Sequence, residues 1–330
     1  MKKKIAVACG GNSGEYEISI QSGRVVSKYL DRSLYEVYPV YIRGNDWYCE
    51  ITSGEKLTVD RSDFTLQRRR RKIRFDCVFI AIHGTPGEDG RLQGYFDLLG
   101  LPYTGCGQTT SALTFNKYFC KNVVAFHGVK TAPSILLHGG TPYRPEEILS
   151  RIHLPCFVKP NNGGSSVGMS KVNATGRLMP ALKRAFVEDA EVLVEEYVPG
   201  REITCGVFRQ KGKIVVLPLT EIKSKREFFD YQAKYTSSLA QEIVPAPLTA
   251  NQENLITETS SRLYGQLNCK GIVRFDYILN KKGIYFLEVN TVPGLTEASI
   301  IPKMANHAGI SLKSLFTLLV QEELSGTAAG

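Results

Sequence analysis

The stretch 271–290, GIVRFDYILNKKGIYFLEVN, constrains this chain more than any other, because it reads as a β-hairpin with charged groups set among apolar ones. Both arms are rich in β-branched and aromatic residues, and Lys281-Lys282-Gly283 lies between them as a turn. With Gly283 in the left-handed position of a three-residue loop, residues 280 and 284 pair, and the register sets Asp276 opposite Glu288 and Arg274 opposite Asn290. Side chains alternate across a strand, so all four then share one face. Two carboxylates and an amide converging beside an arginine repel one another or go unsolvated unless a cation sits between the acids. Mg2+ suits such a place: it is a hard cation that takes carboxylate oxygens, keeps several waters and completes its shell with substrate phosphates. The competing reading is a surface hairpin with an ordinary ion pair. The Pro293-Gly294 turn directly after the acids favours a site, since it lets backbone amides approach a ligand.

A chain of 330 residues buries a sizeable core and is long for one domain, so two or three subdomains are expected. The net charge of +9 suits nucleic acid or an enzyme that holds polyphosphate. The cations concentrate in Arg68-Arg-Arg-Arg-Lys72, which lacks a nucleic-acid motif or interleaved aromatics and reads as a solvated loop. Eight scattered cysteines with no CxxC pair indicate reduced thiols and a cytoplasmic protein. The apolar run after Met1-Lys-Lys-Lys is too short for a signal peptide, and no stretch is long enough to span a membrane.

Residues 5–9 read as a buried strand, followed by Gly10-Gly-Asn-Ser-Gly14 and a helix over 15–30. A glycine loop between strand and helix offers free backbone amides at a positive helix end. Its spacing matches neither the dinucleotide fingerprint nor the P-loop. Further strands are expected over 38–42 and 77–82, with a polar insertion over 44–74 between them. A second glycine loop, His83-Gly-Thr-Pro-Gly-Glu-Asp-Gly90, precedes a helix over 92–99; His83 and Glu88 there suit either loop caps or a functional role. The pattern is a doubly wound α/β domain whose loops after the strands face one edge, where such folds bind ligands.

Helical periodicity over 111–126 carries Lys117 and Lys121 one turn apart. The strand 156–160 leads into Asn161-Asn-Gly-Gly-Ser-Ser-Val-Gly-Met-Ser170, a flap between strands that can lay amides and hydroxyls over phosphates while Lys159 supplies a point charge. Glu195, at the end of a strand over 191–198, and Glu202 suit either a nucleoside's amino and hydroxyl groups or exposed edge positions. Residues 223–237 are dense in charge and aromatics without clean periodicity, which suits a lid over an anionic ligand or a plain surface loop. Helices over 299–308 and 311–324 close the chain.

Together these segments resemble the D-alanine:D-alanine ligases of the ATP-grasp superfamily, nearly end to end. The resemblance rests on Gly10-Gly-Asn-Ser-Gly-Glu15, the 83–90 loop, Tyr103-Thr-Gly105, Val158-Lys-Pro160, Gly164-Ser-Ser-Val-Gly-Met-Ser170, Asp230-Tyr-Gln-Ala-Lys-Tyr235 and Leu287-Glu-Val-Asn-Thr-Val-Pro-Gly294, in that order and spacing. It implies an α/β chain of three subdomains with the ATP-grasp fold and a Rossmann-like N-terminal domain. The N-terminal unit, 1–106, would hold the first substrate. The central unit, 107–197, and the C-terminal unit, 198–330, would grip ATP, the latter carrying the metal site and a lid over 223–240.

The same resemblance implies ATP-dependent joining of two D-alanines through an acyl phosphate, for peptidoglycan precursor synthesis. Two Mg2+ ions, with Mn2+ as a substitute, would sit on Asp276, Glu288 and Asn290 and neutralise the transferring phosphoryl group. Lys117 and Lys159 would hold phosphates under the flap of Ser165 and Ser166, and Lys234 would reach the γ-phosphate from the lid. Glu195, Glu196 and Val198 would read adenine, and Glu202 the ribose. Arg274 and the Gly294 amide would stabilise the oxyanion. Glu15 would pair with the first D-alanine's ammonium in a network with Ser165 and Tyr235, His83 would lie near that substrate, and Ser299 would receive the second carboxylate.

Tyr235 implies dipeptide rather than depsipeptide synthesis, and relatives are commonly homodimers. The sequence departs from the family pattern at Glu196, where lysine is frequent, at Cys106, where serine is common, and over 44–74. The alternatives are another ATP-grasp carboxylate-amine ligase, the D-lactate variant, a nucleotide-binding regulatory protein without catalysis, and a basic nucleic-acid binder. Both acids, Asn290, Arg274 and the lid lysine argue against the regulatory reading, because a sensor needs no oxyanion stabiliser.

Overall fold

The computed structural model describes residues 1–51, 54–224 and 240–326, which form three β-sheets flanked by helices. The first unit runs β1 (Lys3–Gly10), α1 (Tyr16–Tyr29), β2 (Tyr35–Arg43), β3 (Asp46–Glu50), β4 (Lys56–Asp60), β5 (Thr65–Arg68), β6 (Arg71–Ile73), β7 (Cys77–Ile80) and α2 (Arg91–Leu99). Its sheet has the order β6-β5-β4-β3-β2-β1-β7. Only β2, β1 and β7 pair in parallel, as a wound α/β unit requires. The stretch 44–74, expected as a polar insertion, is part of the sheet: β3 to β6 extend it antiparallel, and Cys49, Leu57, Val59, Phe64 and Leu66 are buried. The alternation of these apolar residues with charged ones is short in each strand, which disguised their period of two. The basic run forms the turn between β5 and β6 at the sheet's edge, exposed throughout, where charge discourages edge-to-edge pairing.

The second unit comprises α3 (Gln108–Phe115), α4 (Lys117–Phe126), β8 (Ser134–His138), α5 (Pro145–Leu149), β9 (Cys156–Pro160), β10 (Ser170–Val172), α6 (Leu178–Glu188) and β11 (Glu191–Glu196), with sheet order β10-β9-β11-β8. The single helix expected over 111–126 is two. Asn116 adopts an extended conformation (φ −82°, ψ 102°), and its side-chain oxygen accepts from the Phe119 amide at 3.0 Å, capping the second helix. That break makes Lys117 the first residue of α4.

The third unit comprises β12 (Arg201–Gln210), β13 (Lys213–Val216), β14 (Thr220–Ser224), β15 (Ala240–Ile243), α7 (Ala250–Gln266), β16 (Val273–Asn280), β17 (Gly283–Asn290), α8 (Ile300–His307) and α9 (Leu312–Gly326). The order β15-β14-β12-β16-β17, with β13 on β12, makes β16 of the conspicuous hairpin an inner strand and β17 the end of the sheet. A capping box starts α7: Thr249 Oγ1 accepts from the Gln252 amide, and Gln252 Oε1 accepts from the Thr249 amide. Helix α9 packs Leu315, Phe316, Leu319 and Val320 into a core shared with Ile5, Val7 and Phe79 of the first unit and Ile301 and Met304 of α8. Lys223–Gln241 and Ser224–Ala240 pairing closes the base of the expected lid, whose residues Lys234 and Tyr235 lie outside the described residues. All eight cysteines are buried and free, and among the described residues no helix is long and apolar enough to cross a membrane.

Candidate active site

The sheets converge on one large cleft of ≈ 1250 Å³. Its walls gather Glu15 from the first unit; Lys117, Lys159, Ser165, Ser166, Glu195 and Glu196 from the second; and Val198, Glu202, Arg274, Asp276 and Glu288 from the third and its border.

The hairpin reaches the expected pairing by a different route. Its turn has two residues, Lys281 and Lys282, so Asn280 pairs with Gly283. That register alone would set Asp276 opposite Leu287. A bulge between Asp276 and Tyr277 shifts it by one and restores Asp276 to Glu288 and Arg274 to Asn290. Phe275 and Tyr277 are buried in the core, while Arg274, Asp276 and Ile278 face the cleft.

The cation beside Asp276 is Arg274. Its Nε donates to Oδ1 at 2.9 Å and its Nη2 to Oδ2 at 2.8 Å, a bidentate pair. Thr204 Oγ1 donates to Oδ1 at 2.5 Å and Asn290 Nδ2 to Oδ2 at 3.1 Å. Burial opposes the charge on Arg274, but the Asp276 carboxylate outweighs it and pushes the guanidinium pKa up. Asp276 therefore does not depend on a metal for its charge balance. The donor set still fits Mg2+: Glu288 lies opposite Asp276 at the cleft, and both present hard oxygens. Among the described residues no group of three His, Cys, Asp or Glu side chains could hold a metal.

The flap carries the signs of a segment held for use. Ser165 and Ser166 both have left-handed backbones, φ 49° and 58°, a conformation that favours glycine and costs a non-glycine residue of order 1–3 kcal/mol. Ser165 Oγ donates to Glu15 Oε1, and a Cβ on Gly164 would lie 2.5 Å from Glu15 Oε2. Lys117 Nζ donates to the Gly163 carbonyl at 2.6 Å. At the flap's base, Asn161 and Asn162 donate to Glu191 and Asp189, and Asn161 Oδ1 accepts from the Tyr118 amide.

Glu195 and Glu196 part company because neighbouring side chains alternate. Glu195 is 4% exposed and takes Lys121 on Oε2 and Lys159 on Oε1, the latter at 3.4 Å. Burial would raise its pKa, but Lys159 and Lys121 outweigh that and hold it below the usual range. The Glu196 carboxylate instead faces His153, accepting from its backbone amide at 2.9 Å. An adenine contact through that side chain is not what this geometry offers; its amide donates to the Pro133 carbonyl. Lys121, which the sequence marked only by its i, i+4 spacing from Lys117, is the missed member of this group.

Four expected residues are not among those that line the cleft. Asn290 is bound to Asp276, and Gly294 adjoins Ser299: a Cβ there would meet Ser299 Oγ at 2.9 Å. Ser299 begins α8 and shares a hydrogen bond with Thr296. His83 is 3% exposed, with Nδ1 2.8 Å from the Val292 carbonyl and Nε2 2.9 Å from Ser22 Oγ. Both its nitrogens are engaged, and through Nδ1 it supports the loop after β17. Glu88 does the same, accepting from the amides of Gly84 and Val292, and burial beside Glu15 pushes its pKa up to about 8.

The chain matches the family model for the D-ala D-ala ligase N-terminus over residues 4–106 and that for the D-ala D-ala ligase C-terminus over 123–321. It is 43% identical over 325 residues to a D-alanine–D-alanine ligase of Parabacteroides distasonis, covering 98% of each chain. Among solved structures it resembles the D-alanyl-alanine synthetase A of Vibrio cholerae (31% identity, TM-score 0.87, 98% of this chain and 99% of that one). It also resembles the D-alanine–D-alanine ligase of Bacillus anthracis complexed with ATP (29% identity, TM-score 0.79, 99% and 100% covered).

Proposed function

Because the chain belongs to the D-alanine:D-alanine ligase family, has its ATP-grasp fold and joins two D-alanines at the expense of ATP for peptidoglycan synthesis, we propose the following division of labour in its cleft. The central and third units, 107–197 and 198–330, grip ATP, and the first, 1–106, presents the first D-alanine. Lys117 and Lys159 hold phosphates beneath the flap of Ser165 and Ser166. Glu195, the backbone of Glu196 and Val198 meet adenine, and Glu202 the ribose. Lys234 and Tyr235, outside the described residues, complete the lid by family likeness.

The first D-alanine, its ammonium held by Glu15, attacks the γ-phosphorus through a carboxylate oxygen; ADP leaves and an acyl phosphate remains. The amine of the second, its carboxylate at Ser299, then attacks the acyl carbon. Arg274 and the Gly294 amide stabilise the resulting oxyanion, whose collapse expels phosphate as the amine loses its proton. Two Mg2+ ions, replaceable by Mn2+, would be held by Asp276, Glu288 and Asn290 and supply positive charge to the transferring phosphoryl group. The flap and Glu15 together exclude water from the acyl phosphate. A cytoplasmic homodimer is the assembly and compartment we assign.

The observation that supports this reading most is the convergence of Lys159, the Ser165–Glu15 contact and the Asp276–Glu288 pair on one cleft. Phosphate release from MgATP with D-alanine, L-alanine, or D-alanine plus D-lactate, with products identified by mass, tests it. D-alanine dependence with the dipeptide as main product is expected. Failure to form it, with turnover on another amine partner, would reassign the second site.

A further inference from the structure

Lys121 stands on the inner side of α4, with a side chain 4% exposed. Its Nζ donates to the Ala132 carbonyl at 3.0 Å and to Glu195 Oε2. Burying an ammonium costs several kcal/mol even after relaxation, so a methionine would serve packing alone better at this place. Lys121 does not line the cleft, whereas its partner Glu195 and the second lysine on that carboxylate, Lys159, do. The two lysines hold it unequally. Lys121 is fixed twice, by a carbonyl and by Oε2, while Lys159 reaches Oε1 only at 3.4 Å, long for a charge-assisted hydrogen bond. One buried acid thus has two cations, and one of them is at the cleft with room to change partner.

We propose that Lys121 is a positioning residue for the nucleotide: it is the permanent counter-ion of Glu195, and it thereby releases Lys159 to the phosphates. When Lys159 turns to a polyphosphate, Glu195 remains paired and ionised, ready to accept a hydrogen bond at the nucleoside end. Without Lys121, Glu195 would hold Lys159 for itself, because leaving a buried carboxylate unpaired is strongly unfavourable. The cleft would then lose a cation at the phosphates although Lys159 is still present. Helix α4 in this way serves the nucleotide from both of its singled-out lysines, Lys117 at the flap carbonyl and Lys121 one turn on at the acid.

This inference rests on the cleft being the nucleotide site. The test is titration calorimetry of ATP and of adenosine with the wild-type chain and with K121M, K121R, E195Q and K121M/E195Q. K121M should lower the preference for ATP over adenosine at least tenfold, and K121R should keep most of it. Removing the acid as well should free Lys159, so K121M/E195Q should recover the preference to within threefold of wild type. A buttress of packing alone predicts the opposite, a double variant no better than K121M, and that result would overturn the assignment. Equal losses for ATP and adenosine in K121M would overturn it too. Should K121M not fold, E195Q decides: its ATP preference should be at least that of wild type, and a fall would refute the sharing of Lys159. Absence of ATP binding by the wild-type chain would instead overturn the nucleotide reading of the cleft, and this inference with it.

Discussion

His83 Nδ1 lies 2.8 Å from the carbonyl oxygen of Val292, a hydrogen bond that joins the second glycine loop of the first unit to the loop after β17 across 209 residues. A carbonyl only accepts, so Nδ1 carries the proton and Nε2 accepts from Ser22, whose oxygen in turn accepts from the Leu295 amide at 3.3 Å. Glu88 takes the Val292 amide. The residues on either side of Pro293-Gly294 are thus held from the first unit, and burial lowers the His83 pKa below 6.5. The neutral ring is the folded form, so its contribution to stability is complete above pH 6.5 and is lost as pH falls through the lowered folded-state value. Denaturant unfolding at a series of pH values should give a shallower acid decline for H83Q than for wild type. Parallel curves would show that His83 does not carry the acid sensitivity. H83A, which leaves the buried Val292 carbonyl without its donor, should itself cost about 1–3 kcal/mol at neutral pH.

Arg274 has two duties, one visible and one proposed. Its fork holds Asp276, which is 2% exposed, and its Nη1 lies outside that pair. Loss of one oxyanion donor typically costs about 2.7–4 kcal/mol, or roughly 10²–10³ in kcat. R274K keeps a charge near Asp276 but not the fork. It should show a kcat loss in that range while its Kd for ATP, measured by calorimetry, stays within about threefold of wild type, the change expected for a mutation outside the nucleotide contacts. A fall in ATP affinity that matches the fall in kcat would place Arg274 in ground-state nucleotide binding instead.

Much of this site was legible because strand alternation is rigid: once Asp276 and Glu288 oppose one another, Arg274 and Asn290 must join them. The turn was misread, since Gly283 invites a three-residue loop, and the bulge that cancels the error leaves no mark in composition. Asn116 could have announced the helix break, being a strong N-cap residue inside an otherwise helical run. The partnership of Lys121 with Glu195 could not be read, because it joins residues 74 apart on different elements. The strands of 44–74 were hidden by their brevity: β4 alternates polar and apolar residues over only five positions, and β5 has two buried residues followed by two exposed ones.

The metal should bind only with nucleotide. Two carboxylates, one of them already holding Arg274, Thr204 and Asn290, are too few hard donors for Mg2+ without phosphate oxygens. Calorimetric titration of MgCl2 into the protein alone should give no resolvable heat, and titration in the presence of a non-hydrolysable ATP analogue should give saturable binding. E288Q should abolish that second isotherm and turnover together. Tight Mg2+ binding to the protein alone would mean that further ligands exist.

Ser165 connects the flap to Glu15, and its removal should separate ATP cleavage from peptide formation. S165A keeps the backbone free to take the same path and deletes only the donor to the carboxylate. A hydrogen bond to a charged group contributes about 1.5–3 kcal/mol, enough to shift the closed flap toward open by roughly tenfold or more. An open flap admits water to an acyl phosphate, which then hydrolyses back to D-alanine with the same release of ADP and phosphate. The measurement is the ratio of phosphate released to dipeptide formed over a series of D-alanine concentrations that saturate the first site but not the second. It should be near one for wild type and clearly above one for S165A, with the excess falling as the second D-alanine is raised, because the amine competes with water for the same carbon. An S165A enzyme that is slow but still makes one dipeptide per phosphate would assign Ser165 to phosphoryl transfer rather than to the seal.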